Sequence, residues 1–216
     1  MSENLKRSFE IEKYERRKIY DYVLIFLHWW NALSIFCLML TIWFKPLLKP
    51  LNNWKEVLYS FHTYIGYSLI FGIILRIIWG IIGSKHARFF SMFHPKLYLK
   101  VIRTKNLKLL KTEEWGHDVL GSLAYLKIYL LLLIQAVTGF YLAAKVLSIG
   151  PLMSFLTFSN EKSLLDKVMK KSHEIIYYIL IIFIIIHIIM LIYTEVKDRI
   201  PIAQSMLSGF QYRRKK

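Results

Sequence analysis

Four long apolar runs, separated by short charged stretches, dominate the chain. They extend from about Val23 to Phe44, Val57 to Ile82, Val119 to Ala144 and Ile175 to Thr194. A helix needs about 20 consecutive apolar residues to cross a hydrocarbon core ~30 Å thick. The runs lack the strict alternation of a membrane-barrel strand. They also lack the one-sided stripe of a helix on the surface of a soluble domain. Backbone polar groups inside a bilayer must bond within their own segment, so each run predicts a transmembrane helix. The pattern therefore predicts an all-α integral membrane four-helix bundle, one domain over residues 1–216.

Charge adds orientation. The net charge is +16, a value that elsewhere suggests a nucleic-acid partner. Here the basic residues collect at the ends of the apolar runs, which excludes nucleic acid as the main reading and matches the positive-inside pattern. The N-terminal arm, the loop 83–118 and the tail after Thr194 carry six, eight and six Lys/Arg; the other two loops carry three and five. Twenty against eight predicts both termini and the basic loop 83–118 in the cytoplasm. The first twenty residues are charged and lack a cleavage site, so the first run reads as an uncleaved anchor. Trp29, Trp30, Trp43, Trp54 and Trp79 fall near run ends, as interfacial aromatics do. The segment SKHARFFSMFHPK in the basic loop reads as an interfacial stretch with aromatic anchors; GPLMSFLTF in the third loop, apolar but too short to span, is expected on the outer surface or under a partner.

The candidate chemistry lies in the histidines. His28, His62, His173 and His187 stand in or at the mouths of three of the four runs, where an ionisable side chain is costly and has a use. One alone could be hydrogen-bonded to a neighbouring helix. His173 and His187 are fourteen residues apart, nearly four whole turns, so they share a face about 21 Å apart along one helix. His28 enters from the cytoplasmic side and matches His187 in depth. His62 enters from the opposite side and matches His173. Two pairs result, His28 with His187 and His62 with His173. Paired imidazoles on facing helices suit the two axial positions of a haem iron. Zinc fits less well, because a structural site wants four ligands and each pair offers two. The lone Cys37 and the lack of a CxxCH motif exclude covalent haem attachment, so the reading is two non-covalent b-type haems.

These residues resemble a known family. HWWNALSIF in the first run, HTYIGYSLIFGIILRIIWGIIGSKHARF from the second run into the loop, GHDVLG and QAVTGFYL in the third, the pair His173 and His187, and EVKDRIPIAQSMLSGFQYR are similar to the b-type cytochrome subunits of membrane-bound nickel–iron hydrogenases, within the bacterial four-helix di-haem cytochromes b. The resemblance covers nearly the whole chain. It implies that His28, His62, His173 and His187 ligate the iron of two haems. It further implies a multi-pass subunit of the bacterial cytoplasmic (inner) membrane. Such a subunit anchors a periplasmic hydrogenase and takes electrons from its small iron–sulfur subunit, beside the large one. It then reduces a quinone, usually menaquinone; the subunit is not itself the hydrogenase catalytic subunit. His117 and Asp118, in GHDVLG, are implied to bind quinone or supply its protons, with a helix-start or solvated pair as the plain alternative. Asp118 and Val119 stand where the family commonly has Asn and Pro.

Other residues keep two readings each. Arg76 could pair with a propionate of the inner haem, as its fork suits a carboxylate, or snorkel to the cytoplasmic interface. Lys127, about 12 Å into the third run, calls for a carboxylate or a wet cavity. Asn31 could orient a ligand or join two helices. Gly66, Gly72 and Gly139 could admit a flat macrocycle or a neighbouring helix. His86 and His94 receive no role. Three alternatives share the same chemistry: a cytochrome b subunit of a formate dehydrogenase, one of a thiosulfate-type reductase, or a stand-alone quinol oxidoreductase. A histidine-based transporter would want intramembrane acids and broken helices; the runs contain no Asp, Glu or Pro.

Overall fold

The computed structural model of the protein describes residues 14–48, 50, 52–106, 115–116, 119–155, 163–198 and 201–214. Strand β1 (Tyr14–Lys18) is followed by helices α1 (Tyr22–Trp43), α2 (Lys45–Leu48), α3 (Trp54–Ile82), α4 (Phe89–Met92), α5 (Pro95–Thr104), α6 (Val119–Leu147), α7 (Leu164–Asp198) and α8 (Ser205–Ser208), then strand β2 (Phe210–Arg214). Among the described residues α1, α3, α6 and α7 are long and apolar enough to cross a membrane. They are 22, 29, 29 and 35 residues long, against the roughly 20 that a span requires. The protein is a multi-pass, mainly helical membrane protein.

Three of the four spans lie within a few residues of their sequence expectation. The fourth begins at Leu164 rather than near Ile175. The cause is a capping box. Ser163 Oγ accepts the Asp166 N–H at 3.1 Å, and Asp166 Oδ2 accepts the Ser163 N–H at 2.9 Å. The polar stretch LLDKVMKKSHE therefore joins the apolar run as one helix. Of the third-loop segment GPLMSFLTF, Met153–Phe155 forms a single 3-10 turn, and residues 156–158 lie outside the described part. The basic loop is not plain coil: it carries α4 and α5, and α5 buries Val101 while exposing Leu99 and Ile102.

The packing falls into two compact units, and each span contributes residues to both. In the unit of Trp29–Ile77 and Tyr125–Phe183, all four spans meet. Leu69 and Ile73 of α3, Leu132 of α6, and Ile176 and Leu180 of α7 form its core, with Ile35 and Leu38 of α1 against them. Lipid tails are as apolar as these side chains, so close packing and interhelical hydrogen bonds hold such helices together. Trp30 Nε1–H donates to the Ser68 carbonyl at 3.0 Å, and Trp43 Nε1–H donates to Tyr177 Oη at 3.0 Å. Both indoles thus bond other spans, Trp30 from a half-buried position and Trp43 from an exposed one.

The other unit contains Met1–His28, Ile78–Ala124 and Ile184–Lys216. It holds a feature the hydropathy pattern does not announce. β1 and β2 pair antiparallel, Tyr14 opposite Arg214 and Lys18 opposite Phe210, so the first and last described segments are joined. Gly209 makes the junction. Its carbonyl accepts the Ile19 and Tyr20 N–H groups at 2.9 and 3.1 Å, its φ is +80°, and an added Cβ would strike the Tyr20 carbonyl. Trp115 lies beneath the guanidinium groups of Arg17 and Arg213, at 4.9 and 4.8 Å. The Gly116 N–H donates to Gln211 Oε1 at 2.9 Å.

Asp21 ties this unit to the start of α1. Its Oδ1 accepts the Leu24 N–H at 2.8 Å, as an N-cap does, and the Trp79 indole N–H at 3.0 Å; its Oδ2 accepts the Ser84 hydroxyl at 2.5 Å. Burial pushes the carboxyl up, but the bonds from Ser84, Leu24 and Trp79 outweigh it and hold the pKa below 3.8. The depressed folded-state value means that this stabilisation is present above the unfolded pKa and is lost as pH falls through the folded one. Asp21→Ala is expected to lower stability by about 1–2 kcal/mol from the cap alone. Asp21→Asn is expected to flatten the loss of melting temperature that the detergent-solubilised protein shows on acidification below the ordinary carboxylate pKa. An acid limb identical in wild type and Asp21→Asn would remove this carboxylate from the account.

Candidate haem-binding site

His62 stands two turns into α3 and His173 in the early part of α7, both half-buried in the four-span unit. The structure brings them together. Their ring centres are 6.3 Å apart and the rings cross at 68°. Two imidazoles on opposite sides of one metal, each with a nitrogen at about 2 Å and its ring centre ~1.1 Å beyond, also place their centres about 6 Å apart. Each ring is held by its Nδ1. His62 Nδ1 is 2.7 Å from Thr41 Oγ1 on α1, and His173 Nδ1 is 2.9 Å from Thr138 Oγ1 on α6. Four spans therefore share one site: two present the imidazoles and two present the hydroxyls that orient them.

The glycines near this pair also fit a flat ligand. Gly66 follows His62 by one turn on the same side of α3, and a Cβ there would meet no protein atom within 4 Å. Gly139 follows Thr138, and its added Cβ would touch only His173 Cε1, at 3.4 Å. Gly72 behaves differently: a Cβ there would collide with Asn31 and lie 2.7 Å from Trp30 Cδ1. Asn31, buried on α1, thus marks a close crossing of α1 with α3.

His28 and His187 both belong to the other unit. His28 is half-buried and His187 exposed, and the two imidazoles are near enough to interact electrostatically. Arg76 is in the four-span unit, 1% exposed, with its guanidinium carbon 5.3 Å from the Tyr125 ring centre. A side chain so deeply enclosed does not snorkel. Lys127 is exposed on α6, on the same side as Leu123, Leu130 and Ile134, and forms no ion pair with any described carboxylate. His117 and Asp118 lie outside the described residues; Gly116 just before them is held by Gln211 and by Tyr20, whose hydroxyl donates to its carbonyl at 3.4 Å. His86 and His94 are half-buried in the basic loop, His86 packed against Gly116. Burial and the neighbouring Lys85 hold the His86 pKa below its ordinary value.

Sequence reasoning missed Thr41 and Thr138. A lone threonine within an apolar run carries no periodic signal, and its value depends on which histidine the neighbouring helix brings beside it. The capping pair Ser163 and Asp166 was visible in SLLD but overshadowed by the charges around it. Asp166 also accepts the Tyr141 hydroxyl at 2.6 Å, with Lys145 at 3.9 Å, which binds the start of α7 to the end of α6.

The chain is 26% identical over 214 residues to a probable Ni/Fe-hydrogenase B-type cytochrome subunit of Azotobacter chroococcum mcd 1, covering 89% of this chain and 87% of the relative. It is 28% identical over 227 residues to a protein of the same description from Rhizobium leguminosarum bv. viciae, covering 90% and 89%. No solved structure matches. The model of the prokaryotic cytochrome b561 family matches residues 19–209, almost the whole of the described chain, and the protein belongs to that family of b-type membrane cytochromes.

Proposed function

We propose that the protein carries electrons across the bacterial cytoplasmic membrane through two b-type haems. One is ligated by His62 and His173, the other by His28 and His187. Both termini and the loop 83–118 face the cytoplasm, as the twenty-to-eight distribution of basic residues indicates. Electrons enter from the small iron–sulfur subunit of a periplasmic nickel–iron hydrogenase, which the chain also anchors beside the large subunit. They leave to a membrane quinone, menaquinone by family resemblance, near His117 and Asp118. The observation that carries this reading is the His62–His173 pair, with ring separation and fixed Nδ1 atoms suited to two axial ligands of one iron. The two ligands on α7 are fourteen residues apart, so a continuous helix presents one imidazole to each pair. The names of the relatives support the hydrogenase as partner in preference to a formate dehydrogenase or a thiosulfate-type reductase.

Bound haem supplies a one-electron iron couple; the chain's residues hold it, exclude water and set its potential. Within this reading Arg76 pairs with a propionate of the inner haem, since a planar guanidinium accommodates a carboxylate in bidentate fashion.

The test is a pyridine haemochrome count on the purified full chain, with a dithionite-reduced minus oxidised spectrum. Two b-type haems per chain are expected. Membranes that also contain the hydrogenase are expected to show haem reduction by hydrogen and reoxidation by a menaquinone analogue. In Arg76→Gln the potential of one haem is expected to fall while the other stays. Haem-free protein from cells with ample haem would sink the cytochrome reading. Two haems without hydrogen-dependent reduction would move the partner to another dehydrogenase or to none.

A further inference from the structure

Both histidines of the four-span unit are tied through Nδ1 to a threonine, and each threonine hydroxyl also lies against a backbone carbonyl. Thr41 Oγ1 is 2.6 Å from the Leu38 carbonyl. Thr138 Oγ1 is 3.0 Å from the carbonyls of Ile134 and Gln135. A hydroxyl has one proton to donate. With the backbone carbonyl taking it, the hydroxyl oxygen meets the imidazole as an acceptor and Nδ1 carries the hydrogen; the carbonyls of Leu38 and Gln135, which also face His62 and His173, favour the same tautomer. That leaves Nε2 of both rings as a lone pair.

We propose that Thr41 and Thr138 are positioning residues that fix His62 and His173 as Nδ1–H tautomers, present both Nε2 atoms to one haem iron, and lower that haem's potential. The proposal deepens the ligation reading above and rests on it. A hydrogen bond accepted from Nδ1–H raises the basicity of a ligating imidazole and fixes the plane of the ring. A more basic ligand stabilises ferric over ferrous iron, one of the means by which a protein tunes haem potential. The fixed planes matter independently. Rings held crossed at 68° would act on different d orbitals of an iron between them, keep those orbitals close in energy and make the ferric low-spin signal strongly anisotropic. Each hydroxyl comes from a span other than the one bearing its histidine, so the haem's electronic properties report on the register of α1 against α3 and of α6 against α7.

The experiment uses the full chain, loaded with haem in detergent, as Thr41→Val, Thr41→Ser, Thr138→Val and Thr138→Ser. Valine keeps the shape and removes the hydroxyl acceptor, leaving only the Leu38 or Gln135 carbonyl beside the imidazole; serine restores the hydroxyl. Each valine variant is expected to raise the potential of the same one haem. A tenfold change in the relative ferric-to-ferrous affinity corresponds to about 59 mV for one electron. The ferric electron paramagnetic resonance signal of that haem is expected to lose anisotropy as its ring is released, with the other haem unmoved and both serine variants near wild type. Unchanged potentials and unchanged ferric spectra in both folded valine variants would overturn the proposal. If one valine variant fails to fold, the other, on the opposite imidazole, decides. The ligation reading fails by a different result, the retention of two low-spin haems in His62→Ala, so the two failures are distinguishable.

Discussion

His62→Ala and His173→Ala are each expected to reduce the haem count from two per chain to one, or to leave the affected haem high-spin with a single protein ligand. On the proposed ligation both changes would act on the same haem, because the two rings form one pair at 6.3 Å. The second pair, His28 and His187, is drawn from a different compact unit and is expected to keep its haem and its spectrum. Where the single variants lose the haem outright, the double variant His62→Ala/His173→Ala is expected to resemble either single one; where they keep it high-spin, the double variant is expected to lose it. Non-additivity of the first kind identifies residues that work as a unit. His86→Ala and His94→Ala, both in the basic loop, are expected to retain two haems and serve as controls. Pyridine haemochrome content per chain and the low-spin ferric spectrum check each variant. Two unaltered low-spin haems in His62→Ala would remove this pair from ligation.

The spans were legible because a bilayer imposes a length and a polarity that few other environments demand. The meeting of His62 with His173 was legible for a related reason: spans with marked ends and a known direction give each histidine a depth, and helical period gives His173 and His187 a common face. What the sequence hid depends on neighbours rather than on period. Thr41 and Thr138 are unremarkable until α1 is placed beside His62 and α6 beside His173. The strand pair is similarly silent. YERRK and FQYRR are short, charged and nearly 200 residues apart, so no local pattern joins them. The start of α7 was legible in principle, since Ser163 and Asp166 have the spacing of a capping box. A reading led by hydropathy stops where the lysines begin and passes over it. The charge of Arg76 within an apolar run is plain in the sequence; its enclosure beside Tyr125 depends on the packing of α6 against α3.

Gly72→Leu and Gly66→Leu separate the packing of the helices from the packing of the haem. The two glycines lie six residues apart on α3 and are surrounded in opposite ways. A side chain at Gly72 would drive into Asn31 and Trp30, and Trp30 has little room to yield. Its indole N–H is bonded to the Ser68 carbonyl, and its ring meets Phe71 edge-on at 6.4 Å. Relief requires α1 and α3 to part, adding the loss of that hydrogen bond, about 1 kcal/mol, to an overpacking cost of about 1–3 kcal/mol. In a membrane, where close contact is what holds helices together, Gly72→Leu is expected to yield little monodisperse protein with or without haem. Gly66 meets no protein atom within 4 Å of an added Cβ, so leucine there is expected to leave the polypeptide folded and monodisperse. It lies on the side of α3 that His62 presents, however, where a macrocycle ligated by that imidazole would rest. Gly66→Leu is therefore expected to fold well and yet lose or displace one haem, read by size-exclusion profile and haem content together. Full haem content with an unshifted spectrum in Gly66→Leu would place the macrocycle on another side of His62, and normal yield of Gly72→Leu would show that the α1–α3 crossing tolerates separation.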